Sequence, residues 1–127
     1  MFLLYNITFE YGLKTIGYMA FGFFSWYATS IAIPDSVISI GESAFYRNNI
    51  QKVTIGSGVT FIGKNAFDSC EYLTSVIFVN PNGWRICDTA DATNGAAFAE
   101  DISDPAVAAE CLTMSNKYKN YYWKRVG

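Results

Sequence analysis

The chain has 127 residues, 51% of them hydrophobic and 17% aromatic, which excludes a disordered tail and leaves room for one modest core. Nine Lys and Arg against eleven Asp and Glu give a net charge of −2 without a basic run, so nucleic acid is not an expected partner. Histidine is absent, which removes the commonest general base near neutral pH and the commonest neutral metal ligand.

Ile7 and Phe9 flank Thr8 in a short alternating segment that reads as a strand. After a turn come Leu13 and the phrase Ile16-Gly17-Tyr18-Met19-Ala20-Phe21. The chain writes this phrase twice more, as Ile40-Gly41-Glu42-Ser43-Ala44-Phe45 and Ile62-Gly63-Lys64-Asn65-Ala66-Phe67, at spacings of 24 and 22 residues. The flanks keep the same register: Val37 and Val59 match Leu13, Ile31/Ile33 and Val53/Ile55 match Ile7/Phe9, and Val76/Phe78 begin a fourth copy. Each unit is predicted to run strand, tight turn, buried aliphatic, Ile-Gly, then a brief helical turn ending in Ala-Phe. The tight turns are Pro34-Asp35-Ser36 and Gly56-Ser57-Gly58. A unit this short cannot bury its own apolar face, so the period predicts stacked units whose strands pair in parallel. The repeated glycine is read as a backbone position that a side chain would obstruct.

Between Lys14 and Asp35 lie twenty uncharged residues, including Phe23, Phe24, Trp26 and Tyr27. Their length would allow a membrane span. That reading is rejected, because the same columns recur with charges interspersed at 40–45 and 62–67, and stacked units explain the hydrophobicity without lipid. Met1 to Tyr5 carries no basic residue and the chain reaches Glu10 before any cleavage-like site, so no signal peptide is read there.

Past residue 79 the composition changes. Asn80-Pro81-Asn82-Gly83 is a turn, Trp84 follows, and Asp88 through Gly95 reads as a surface loop. Asp88, Asp91 and Asn94 do not match the spacing of a helix–loop–helix calcium loop, and no metal or cofactor is assigned. A helix is predicted from Ser103-Asp104-Pro105, capped by Asp104 or Ser103, with Ala108, Cys111 and Leu112 on one face. It is expected to cover the last repeat. Tyr118, Tyr121, Tyr122 and Trp123, interleaved with Lys117, Lys119, Lys124 and Arg125, are read as the amphipathic edge of that cap, rings inward and cationic tips in water. Cys70 and Cys111 read as small buried residues. A Cys87–Cys111 bridge is left open, and the spacing of the three cysteines implies neither a zinc site nor a disulfide framework.

Ile-Gly-x-x-Ala-Phe at three sites, Ile33-Pro34-Asp35-Ser36-Val37 and Leu73-Thr74-Ser75-Val76 resemble the leucine-rich repeats of bacterial BspA-type surface proteins, also called the Treponema type. The resemblance is strong over residues 7 to 79. The tail segments Gly83-Trp84, Ala108 to Thr113 and Tyr122 to Arg125 are similar to those that close such arrays. It implies an α/β leucine-rich repeat solenoid over residues 1–79, with short parallel strands and brief helical turns, closed by a C-terminal helical capping segment over 80–127. Relatives are typically secreted or surface-anchored, and some bind host matrix proteins or other cells. The family offers no catalytic residues to carry over. With about three full repeats, the chain reads as the C-terminal end of a longer protein.

The function expected is a non-catalytic binding module at the bacterial cell surface or outside the cell, engaging a host matrix protein, another surface protein or a glycan. Its candidate binding residues are those on or beside the outward strand faces, Thr8, Ser30, Ala32, Lys52, Thr54, Ser75 and Ile77, together with Trp26 and Tyr27 in the aromatic excursion between repeats. A second reading makes the chain a structural cap or spacer, or a self-association module pairing through the N-terminal edge strand at 7–9. An enzyme is not expected, since no convergent set of titratable groups is visible.

Overall fold

The computed structural model describes residues 6–7, 9, 12–22, 30–92 and 94–126. In chain order these form Asn6–Ile7 (β1), Thr15–Ile16 (β2), Ser30–Ile33 (β3), Ser39–Ile40 (β4), Lys52–Ile55 (β5), Phe61–Ile62 (β6), Ser75–Phe78 (β7), Trp84–Cys87 (β8), Ala96–Ala97 (β9), Pro105–Thr113 (α1) and Tyr122–Arg125 (β10). Strands β1, β3, β5 and β7 pair side by side and in parallel, which places Ile31, Val53 and Val76 in one column and Ile33, Ile55 and Phe78 in the next. Both columns are buried, as the alternating pattern requires.

Each unit contributes a second strand that the sequence reading missed. Thr15–Ile16, Ser39–Ile40 and Phe61–Ile62 pair in parallel as part of a six-stranded sheet ordered β2-β4-β6-β10-β8-β9. At two residues each, these segments are too short for alternation to announce them. Between the sheets, Phe45 stacks on Phe21 and Phe67 with ring centroids 5.4 and 5.1 Å apart, and Phe9 meets Phe21 edge-on.

The expected helical turn in each unit does not form. The amides of Ser43, Phe45 and Arg47 donate to carbonyls of the next unit, at Lys64, Ala66 and Asp68, while Ala44 and Tyr46 donate locally to Gly41 and Ser43. Alternate donors leaving sideways cannot also bond four residues back, so a helix is unavailable. Met19, Ser43 and Asn65 take up left-handed backbone instead, with φ of 56, 54 and 60°. Among the described residues the one helix is α1. It begins as predicted, with Asp104 accepting from the Ala106 amide at 3.0 Å and Pro105 at the first helical position.

Side chains extend the same coupling. Asn48, fully buried, donates to the Phe21 carbonyl at 3.1 Å, and the Cys70 thiol meets the Phe45 carbonyl at 3.0 Å. Both residues sit three positions after the repeated Phe. All three cysteines are buried free thiols, so the Cys87–Cys111 bridge left open above is not made.

After β7 the chain turns back on itself. Strand β10 lies antiparallel between β6 and β8, with Trp123 opposite Ile62. The Asn65 amide donates to Lys119 O at 2.7 Å, the direction in which Ser43 donates to the following unit, and Arg125 N donates to Thr60 O at 2.9 Å. Trp123 is buried, stacked 6.0 Å from Phe78 and tilted against Phe98 at 4.4 Å, and its indole N–H donates to the Tyr118 carbonyl. Helix α1 packs against β7 through Ala108, Ala109, Cys111 and Leu112. Lys119–Asp68 and Lys117–Glu100 ion pairs and the Tyr122 hydroxyl donating to Glu42 fasten the segment. The aromatic and basic run at 118–125, read as the amphipathic edge of the cap, thus contains a sheet strand.

Two predictions follow from this packing. A β-carbon at Gly63 would lie 2.7 Å from the Gly41 carbonyl carbon, whereas one at Gly17 meets nothing within 4 Å among the described residues. Gly63→Ala is therefore expected to destabilise by about 1–3 kcal/mol, as overpacking does, and Gly17→Ala to stay within about 0.5 kcal/mol, both read from urea melts. Burial pushes the Cys70 thiol from 9.0 up to about 12 and Cys111 up to about 11, and the hydrogen bond to Glu100 lifts Tyr118 from 10.0 to about 12. Each group holds its proton more tightly folded than unfolded, so stability is present below the ordinary values and falls as pH rises above them. Urea midpoints measured between pH 9.0 and about 11 should decline steadily, and a flat profile would contradict these assignments.

Candidate functional site

The outward face of β3, β5 and β7 gathers six of the nine residues singled out from sequence. The register places Ser30, Lys52 and Ser75 in one row and Ala32, Thr54 and Ile77 in the next. With strands ~4.8 Å apart and alternate residues ~7 Å apart, the six positions form a grid about 10 by 7 Å. Ala32 and Lys52 are exposed, and the other four are half-buried. Thr8, Trp26 and Tyr27 lie outside the described residues.

What holds the grid in place is the packing beneath it. Ile31, Ile33, Val53, Ile55, Val76 and Phe78 take the inward positions and clamp the strands to the core. The backbone of β5 is paired on both sides, so it offers side chains to a partner and no free strand edge. The Asp35 carboxylate beside the grid accepts from the Ser57 amide at 2.7 Å, which ties the turn before Val37 to the turn before Val59.

Sequence reasoning missed Val79, which is 54% exposed and extends the β7 ladder through its amide to the Ile55 carbonyl at 3.0 Å. Alternation puts it on the same side as Ile77, so the β7 edge of the grid is apolar while the β5 row carries an ammonium group. The signal lay in Ile77 and Val79 being two residues apart in Ser75-Val76-Ile77-Phe78-Val79. A strand apolar on both faces is expected where it is covered, and here one side is open.

Most carboxylates that could do acid–base chemistry hold the structure together. Asp68 pairs with Lys119 at 2.6 Å, Glu42 accepts from Tyr122, Asp104 caps α1, and Glu100 receives both Lys117 and the Tyr118 hydroxyl. The Tyr118 and Lys117 donors lower the Glu100 pKa, and the Ser103 hydroxyl lowers that of Asp101. Among the described residues no three His, Cys, Asp or Glu side chains converge as a metal-binding set. No helix among them is long and apolar enough to cross a membrane.

The repeats match a known family. A family model described as the BspA type leucine rich repeat region (6 copies) matches residues 2–89. The chain is 39% identical to a leucine-rich repeat protein from Bacteroides ovatus ATCC 8483, known from a crystal structure, over 50% of this chain and 16% of that one, with a TM-score of 0.47. The matched part is thus a small share of that protein's length. No curated protein matches the chain. Such repeats form a scaffold that is generally non-enzymatic and usually mediates protein interactions. With 2–89 covered by the family model, the chain belongs to the BspA-type leucine-rich repeat family.

Proposed function

We propose that the chain is a non-catalytic binding module of a secreted or surface-held bacterial protein, and that the grid on β3, β5 and β7 is its contact face for a matrix protein, a surface protein or a glycan. The observation that carries this reading is the in-register gathering of Ser30, Lys52, Ser75, Ala32, Thr54 and Ile77 on a backbone-paired face. Family membership supports it, since such repeats usually act in protein interactions. The units stack as a short solenoid, and residues 80–127 act as its C-terminal cap. Six residues fall well short of the roughly 20–30 a side of a standard interface. The grid therefore works as part of a wider surface, extended by Thr8, Trp26 and Tyr27 or by further repeats of a longer protein.

A specific observation favours a second reading, that of a structural terminator or spacer without its own ligand. The Lys119 carbonyl and β10 take the positions that a following unit would fill. Pairing through the N-terminal edge strand belongs to the same reading.

Binding of the purified chain to immobilised extracellular-matrix proteins and glycans separates the two. Lys52→Glu combined with Ile77→Lys should weaken retention by about tenfold or more while each change shifts stability by only about 0.5 kcal/mol. Undiminished retention by the double variant would move the contact face elsewhere, and no retention of the parent by any surface would favour the terminator.

A further inference from the structure

A second surface, separate from the grid, lies on the six-stranded sheet. One outward row crosses it in unbroken register: Thr15, Ser39, Phe61, Lys124, Arg85, Ala97. Five strand spacings make the row about 24 Å long. The residues next to it, Ile16, Ile40, Ile62 and Trp123, point inward and are buried, so the row is held on a rigid floor.

Its centre carries an unusual charge arrangement. Lys124 and Arg85 stand directly opposite each other on neighbouring strands, a placement of like charges that weakens a sheet. They stand beside a cleft of about 550 Å³ that Phe61 also lines, and none of the described residues lining it is acidic. Among the described residues Lys124 Nζ donates to the Ala92 carbonyl at 2.5 Å. A carbonyl orients this cation without neutralising it. Arg85 is exposed, its guanidinium available for a bidentate bond to a carboxylate or sulfate. Two cations set together this way on a chain of net charge −2 are a local reversal of sign.

We propose that this cleft binds an anionic glycan, a sugar chain bearing carboxylate or sulfate groups. The cations take the acidic groups, and the Phe61 ring, 5.9 Å from that of Tyr122, offers an apolar face to a sugar ring. The hydroxyls of Ser39 and Thr15 continue the row for a second and third sugar. A linear ligand suits a linear row. An acidic peptide fits less well, because the site is a sheet face whose inner strands have no backbone groups left for strand addition.

Titration calorimetry on the whole chain tests this, with dextran sulfate and oligogalacturonate as probes and neutral dextran and poly-glutamate as comparisons. At least one acidic glycan should bind, sulfate or carboxylate chemistry being told apart by which. Arg85→Gln and Lys124→Gln should each weaken it by roughly tenfold, the scale of a lost charge-assisted bond, with Arg47→Gln, an exposed cation in a turn away from the row, unchanged. Should Lys124→Gln fail to fold, the exposed Arg85→Gln carries the test. The proposal is overturned if neither glycan binds, if neutral dextran or poly-glutamate binds as tightly, or if Arg47→Gln weakens binding equally.

Discussion

Between the Ile40-Gly41 and Ile62-Gly63 turns the backbones run so close that a β-carbon at Gly63 would collide with Gly41 and the Glu42 amide, and this closeness lets alternate amides reach across to the next unit. The bonds from Phe21 to Ala44 and from Phe45 to Ala66, each 2.8 Å, are the same contact made twice. The near-parallel stacking of Phe21, Phe45 and Phe67 fixes the same separation from inside the core. Asn48 and Cys70 close the remaining gap by sending a side-chain donor to the carbonyl of the preceding Phe. A buried carbonyl left without a partner would cost about 1–3 kcal/mol, so these two positions tolerate few side chains.

The same constraint explains the C-terminal third. A stacked unit leaves its last face with unpaired amides and exposed rings, and the chain satisfies both with dissimilar parts. Backbone at Lys119 and Arg125 joins the ladders of the second sheet, Trp123 stacks on Phe78, and α1 lies against β7. Ion pairs at Asp68 and Glu100 then fasten the segment from outside, where solvent screening keeps each contribution small. The same packing sets out two ordered faces: a grid of side chains on the first sheet, and on the second a row in which cations from the tail meet an aromatic ring from the repeats.

How much was legible in the sequence divides along physical lines. The columns at Ile31, Ile33, Val53, Ile55, Val76 and Phe78 were readable because a period of 22 to 24 residues fixes register more firmly than any local propensity. The α1 start at Asp104-Pro105 was readable from capping chemistry alone. The two-residue strands were not, since Ser39-Ile40 holds too little pattern to distinguish strand from turn. Asn48 escaped notice because its counterpart is Cys70, and no shared residue type marks the position. Tyr122-Trp123-Lys124-Arg125 sets two rings before two cations, with no alternation to announce a strand, and its partners Ile62 and Ile86 lie far away in sequence. Of the candidate site, the six grid residues were found from the strand period. The cationic row was hidden, because it joins the repeats to the tail.

The central claim is that stability passes from unit to unit and is not generated within each one. Native-state hydrogen exchange tests it most directly, by comparing the equivalent amides of Phe21 and Phe45, whose bonds have the same length. The Phe45 unit is packed on both sides, while Gly17 in the Phe21 unit meets nothing within 4 Å among the described residues. The account predicts that Phe45 exchanges only through global unfolding and Phe21 faster, through local opening at the first unit. Identical rates with identical urea dependence at the two amides would contradict it.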